Sequence, residues 1–189
     1  MGYVKPVLAM LAAALVAAFL HYNLPQRDIV QIVGTEVSRE DVQQPDGTLA
    51  TRDVRFINAR TEAGRPRVYR NEDTGWRWPP YLKFDTGNLQ AEAQSMAKAD
   101  QWVAVTHYGW RIPMFSIFPN AVRIRAVEGP EVQLIPWFNI VALALLAALA
   151  WGIWRRVQRF RKRRIDPLLD DIDEEWDEAR GFWRRLAGR

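Results

Sequence analysis

Apolar residues gather in two runs near the ends of this chain, with a long stretch of mixed polarity between them. From Leu134 to Trp154 no side chain is charged. About 20 residues at ~1.5 Å rise cross a bilayer core of roughly 30 Å, so this run predicts a transmembrane helix. Trp137 and Phe138 at one end, and Trp151 and Trp154 at the other, fit the interfacial aromatics of such a span. Val7 to Leu20 is a shorter apolar run, preceded by Lys5 and followed by His21 and Tyr22. It reads either as an anchor, with Lys5 snorkelling so that the span covers Tyr3 to Tyr22, or as the core of a cleaved signal peptide. Ala13-Ala14 and Ala17-Ala18 lie inside the run, and Phe19-Leu20-His21-Tyr22 is a poor cleavage sequence, which favours the anchor.

Between the runs, alternation and turn residues predict mainly strands. Ile29 to Val37 and Arg52 to Arg60 are the first two, joined by a polar hairpin loop over Asp41 to Thr51 that contains Pro45-Asp46-Gly47. Pro66 to Arg70, together with Tyr81 to Phe84, gives a third. Asp85-Thr86-Gly87-Asn88 offers helix N-caps ahead of Leu89 to Ala99, which is rich in helix formers. Gln101 to Arg111 alternates with Trp102, Ala104, Thr106, Tyr108 and Trp110 on one face, and Ala121 to Val127 alternates again. Three strands, a helix and two strands is the order of an OB-like barrel. The fold class expected is therefore a membrane protein, α+β, with four parts: a transmembrane helix over 1–22, a small mainly-β domain over 23–131, a second span over 132–154, and a tail over 155–189.

Charge sets the orientation. Arg155, Arg156, Arg159, Arg161, Lys162, Arg163 and Arg164 crowd the far end of the second run, where a basic collar would lie against anionic headgroups. Basic residues next to a span stay in the cytoplasm, and Lys5 makes the same argument for the N-terminus. The expected topology is N-in and C-in, with the middle domain in the periplasm of a bacterial inner membrane. The middle segment, Tyr22 to Glu131, holds 14 basic and 14 acidic residues, so the net charge of +4 gives that domain no case for binding nucleic acid. Cysteine is absent, which removes disulfides, thiolate nucleophiles and sulfur metal sites.

Beyond Pro167 the tail carries Leu169, Ile172, Trp176, Ala179, Trp183 and Leu186 at spacings of three and four, one apolar stripe on a helix. Its acidic residues come first and Arg180, Arg184 and Arg185 last, which complements the helix dipole. One helix cannot bury two tryptophans by itself. The stripe is a candidate partner-binding face, for a membrane protein partner or a second copy, with the membrane surface as the other reading. Ala9, Ala13 and Ala17 in the first run, and Ala144, Ala148 and Gly152 in the second, put small residues at every fourth position. Such spacing lets helices pack closely in lipid, or simply reflects abundant alanine.

Little points to catalysis. His21 and His107 are isolated and lack zinc-ligand spacing. Asn71-Glu72-Asp73 lacks the spacing of a calcium loop and reads as a solvated turn. Asp85 and Glu72 could form a carboxylate pair only if the fold brings them together. No metal, no cofactor and no catalytic residue is expected. Trp76, Trp78, Trp102, Tyr108 and Trp110 are either core or an exposed aromatic surface for a partner.

The segments Val68-Tyr69-Arg70-Asn71-Glu72-Asp73-Thr74-Gly75-Trp76, Trp78-Pro79-Pro80-Tyr81, Thr106-His107-Tyr108-Gly109-Trp110-Arg111-Ile112-Pro113 and Phe118-Pro119-Asn120-Ala121 resemble a family of alphaproteobacterial membrane proteins known as a domain of unknown function. The resemblance covers most of Tyr22 to Val127 and implies a bacterial envelope location, with no activity attached. The function expected is a non-enzymatic accessory or scaffold protein that associates with itself or a larger membrane complex. The alternatives are a periplasmic ligand-binding sensor and, behind it, an envelope hydrolase.

Overall fold

The computed structural model describes residues 3–43, 49–165, 180, 183 and 188. The chain separates into two compact units, residues 1–136 and 137–189. The first unit begins with α1, Val4–Asn23, which buries no residue and is apolar and long enough to cross a membrane. Only Leu24 and Pro25 separate it from the first strand, and proline there closes the helix by refusing its backbone N–H.

Five strands follow: β1 (Gln26–Gln43), β2 (Leu49–Arg60), β3 (Pro66–Arg70), β4 (Trp102–Tyr108) and β5 (Asn120–Ala126). They close into a barrel in the order β1-β2-β3-β5-β4. β1 is shared. Its start pairs antiparallel with β4, from Gln26↔His107 to Gln31↔Trp102, and the rest pairs with β2. The register shifts between Ile32 and Gly34, leaving Val33 as the extra, exposed residue of a bulge. Beyond it β1 and β2 run on as a two-stranded arm as far as Gln43↔Leu49. Of the segment expected as a loop from Asp41 to Thr51, residues 41–43 and 49–51 are strand and residues 44–48 lie outside the described residues. The barrel closes through one parallel pair, Arg70↔Asn120, reinforced by Arg70 N–H donating to Pro119 O at 2.9 Å.

The helix α2, Thr86–Lys98, lies between β3 and β4 and buries Leu89 and Ala93 against Val30, Ile32, Ile57, Val103, Val105 and Ile124. Burying Leu89 stabilises by about 1.5–3 kcal/mol and the Ala93 methyl by about 0.8 kcal/mol, which helps hold the helix to the barrel. Asp85 occupies the N-cap position but makes no cap bond. Asp73 caps instead, accepting from both the backbone N–H and the hydroxyl of Thr86. Tyr81 to Phe84 is not a strand; it belongs to an irregular segment between β3 and α2.

On β4, Val103 and Val105 are fully buried and His107 is 4% exposed; of the opposite face, Ala104 and Tyr108 are buried as well, and Trp102 and Thr106 are half-buried. Both faces are apolar, so alternation alone could not choose between them.

The second unit is α3, Trp137–Phe160, followed by a wider turn over Arg161–Ile165. It starts at Trp137 rather than near 132 because Pro136 disfavours helix in the residue before it. It does not stop at Trp154: the basic residues Arg155, Arg156 and Arg159 continue the same helix. Together with most of the wider turn, over Trp137–Arg164, it is also long and apolar enough to cross a membrane.

Candidate functional site

At the end of the barrel next to α1, backbone bonds and ring contacts join the helix to the strands and loops. Gly109 N–H donates to Tyr22 O at 3.0 Å, and Tyr81 Oη donates to Asn23 O at 2.6 Å. These bonds take up backbone carbonyls that the last turn of α1 leaves open. Rings reinforce them. Tyr22 sets an edge against both Tyr108 (6.3 Å) and Trp110 (5.4 Å), and Tyr81 stacks on Tyr108 at 4.6 Å. One turn earlier, Phe19 stacks on Trp78 at 6.1 Å. Gly109 has φ +97, and a Cβ there would meet Pro119 Cα at 3.6 Å and Tyr22 at 3.8 Å. Glycine suits that positive φ, and its bare backbone lets Tyr22 approach.

Two loops flank this junction. The first, Gly75 to Phe84, is closed at its base by Gly75 N–H donating to Lys83 O (3.0 Å) and Lys83 N–H donating to Thr74 Oγ1 (3.1 Å). The Lys83 side chain is 4% exposed and pins the loop from beneath, donating to Asn71 Oδ1 at 2.5 Å and Ala121 O at 2.7 Å. Burial outweighs the fields of Asp73, Asp85 and Glu72 and lowers its pKa to about 8. Asn71 completes the network by donating to Gln90 Oε1 and Thr86 O. The second loop, Trp110 to Ile117, is closed by reciprocal backbone bonds between Ile112 and Ile117.

Inside the barrel, below the junction, lies a polar cluster. Tyr69, fully buried on β3, donates its hydroxyl to Asp28 Oδ2 at 2.7 Å. His107 Nε2 lies 3.2 Å from the same oxygen, and Arg111 covers the Tyr69 ring at 5.1 Å. Burial pushes the Asp28 carboxyl up, but the approach of His107, the Tyr69 hydroxyl and the charge of Arg67 reverse this and lower it to about 2. Burial also raises the Tyr69 phenol, helped by the Asp28 charge. The hydroxyl therefore stays protonated and remains the donor.

The aromatic residues singled out by sequence divide. Trp76, Trp78 and Trp110 are 84%, 67% and 40% exposed, while Trp102 is half-buried. Tyr108 is not part of a surface: it is 8% exposed, because Tyr22 and Tyr81 pack on it and Asn120 Nδ2 donates to its hydroxyl. Asn71-Glu72-Asp73 is no solvated turn. Asn71 is buried, Glu72 pairs with Arg52 at 2.8 Å, and Asp73 caps α2. Among the described residues, no group of three or more His, Asp or Glu side chains is placed to hold a metal ion. His21 lies in the last turn of α1.

Ala9, Ala13 and Ala17 are exposed on α1, and Ala144, Ala148 and Gly152 on α3. Arg155, Arg156 and Arg159 are exposed on α3, and Arg161, Lys162, Arg163 and Arg164 on the turn after it. Of the tail stripe, Leu169, Ile172, Trp176, Ala179 and Leu186 lie outside the described residues; Trp183 is 68% exposed. Sequence reasoning did not single out Lys83, Asp28, Tyr69 or Gly109 individually. The one available signal was that Tyr69 and Gly109 fall within the segments that carry the family resemblance.

An uncharacterised protein of Haemophilus influenzae is 38% identical over 144 residues, 71% of this chain and 80% of that protein. A UPF0182 protein of Parasynechococcus marenigrum is 36% identical over 67 residues, 35% of this chain but 7% of that protein. No solved structure matches the chain. The model of a family described as protein of unknown function (DUF1523) matches residues 1–161, both helices and the whole barrel, and the chain belongs to that family.

Proposed function

We propose that this chain is a non-enzymatic accessory or scaffold protein of a bacterial inner membrane. On this reading α1 and α3 span the bilayer, the barrel stands on the periplasmic side, and the basic collar and tail remain in the cytoplasm. There they join a second copy or a larger membrane complex. The barrel is OB-like in this reading: five strands in the order 1-2-3-5-4, with the helix between the third and fourth.

The observation that carries the proposal is the contrast along α1. Val4 to Phe19 are all exposed and overwhelmingly apolar, whereas Tyr22 and Asn23 are bonded into the barrel. A helix that is apolar all round calls for lipid or another helix around it. A fixed junction at its end is what an anchored scaffold needs. The filling of that junction also favours a scaffold over a ligand sensor. Tyr22 and Tyr81 occupy the space against Tyr108 and Trp110 where a sensor would hold its ligand. The titratable groups Asp28, Tyr69 and Lys83 are bonded to other protein groups.

The test is extraction in a mild detergent, affinity capture through a tag, and mass spectrometry of what is retained. A stable assembly that is lost when Trp176 and Trp183 are both changed to Ser supports the proposal. A monodisperse monomer from native membranes contradicts it.

A further inference from the structure

We propose that the two loops flanking the end of α1, Gly75 to Phe84 and Trp110 to Ile117, form a collar that enters the interfacial layer of the same membrane that α1 crosses. The occupant of this surface is lipid, and the inference rests on the reading of α1 as a span.

Four observations converge. The first is exposure. Trp76 (84%), Trp78 (67%), Phe84 (57%), Met114 (81%) and Phe115 (66%) face outward on two short loops. Large apolar side chains left this exposed mark an interaction site. The second is position. Trp78 stacks on Phe19 and Trp110 meets Tyr22, so both loops touch the last turns of α1. β1 starts directly after α1 and pairs Gln26 with His107, so β4 delivers its outgoing loop to the same end of the barrel. Wherever α1 leaves the bilayer, these side chains are at that level. Tryptophan and its aromatic relatives favour that layer, being apolar in body and polar at one edge.

The third is charge. Gly75–Phe84 and Trp110–Ile117 contain Arg77, Lys83 and Arg111 and no Asp or Glu. Arg77 sits between Trp76 and Trp78, the arrangement in which a cation meets lipid phosphate while its neighbours enter the acyl boundary. The fourth is preorganisation. Each loop is closed at its base by backbone bonds, and Lys83 fastens the first to the barrel from beneath, so both present their side chains on a fixed platform.

The absence of cysteine allows single labels. The full chain is reconstituted into vesicles of phosphatidylcholine and phosphatidylglycerol. An environment-sensitive fluorophore is attached at Trp76→Cys, Met114→Cys, Leu11→Cys or Arg39→Cys. Nitroxide is placed on lipid either near the headgroup or deep in the acyl chain. The collar predicts that labels at 76 and 114 lose most of their emission to the shallow nitroxide and little to the deep one. Leu11, midway along α1 and exposed, responds to the deep one and Arg39, out on the arm, to neither. If 76 and 114 behave like Arg39 while Leu11 is quenched, the collar is wrong and the α1 span stands. A surface that meets a protein partner or a second copy instead of lipid gives that same result. If Leu11 is not quenched either, the reading of α1 as a span itself fails.

Discussion

Replacing Asp28 with Asn keeps the shape of the side chain and removes its charge from the polar cluster inside the barrel. Asp28 accepts from Tyr69, and His107 lies beside it, so its carboxyl is lowered from 3.8 to about 2. That shift, at ~1.4 kcal/mol per unit, amounts to about 2 kcal/mol of stability. The side chain remains 31% exposed, and screening brings the expected contribution to between about 1 and about 2 kcal/mol. The folded value lies below the unfolded one. The contribution is therefore complete above about pH 4 and is lost as pH falls through about 2. The assay is urea unfolding of the purified full chain in detergent, followed by tryptophan fluorescence. Asp28→Asn should be less stable than the parent at about pH 7, and the gap should narrow toward zero near pH 2. Equal midpoints at neutral pH, or a gap that does not narrow in acid, would refute the account of this cluster.

Three further outcomes follow from the same geometry. Gly109→Val forces a branched side chain to φ +97 against Pro119 and Tyr22; it should lower stability by about 1–3 kcal/mol in urea unfolding. Asp73→Ala should cost about 1 kcal/mol by uncapping α2. Asp85→Ala, at the nominal cap position, should change unfolding midpoints much less, because Asp85 makes no cap bond. Lys83 is lowered from 10.5 to about 8, so between those values the unfolded chain holds a proton that the folded chain has released. Parent stability, measured relative to Lys83→Met, should therefore climb with pH across this window by up to about 3 kcal/mol, whereas a pH-independent difference would contradict the buried cation.

How much was legible in the sequence follows from what each element buries. β5 alternates in sequence from Val122 to Ala126, but the structure buries Ala121 and Ile124 and exposes Ala126, because the pairing slips by one residue between Thr106↔Arg123 and His107↔Ala121. Residues 41–43 and 49–51 are strand although Pro45-Asp46-Gly47 and the polar residues around it spell a loop, because turn chemistry in the sequence masks a pairing that only the β1–β2 register shows. On β4 both faces are apolar, so alternation did not single out Val103, Val105 and His107. The polar networks were invisible for a different reason. Asp28 meets Tyr69 41 positions away and Lys83 meets Ala121 38 positions away, and only the barrel closure joins them. Capping of α2 by Asp73, 13 residues before Thr86, was hidden in the same way behind a nearer and better-placed aspartate. The two apolar helices, by contrast, announce themselves through length and composition alone, and the structure changed only their ends.

Single cysteines also give the most direct test of the central claim, that two spans hold the barrel outside the cytoplasm and the basic collar inside it. Arg39→Cys on the arm and Arg163→Cys after α3 are each exposed to a membrane-impermeant maleimide in spheroplasts, before and after lysis. The account predicts that Arg39→Cys is labelled in intact spheroplasts and Arg163→Cys only once they are broken. Labelling of Arg163→Cys in intact spheroplasts, or protection of Arg39→Cys until lysis, would contradict it.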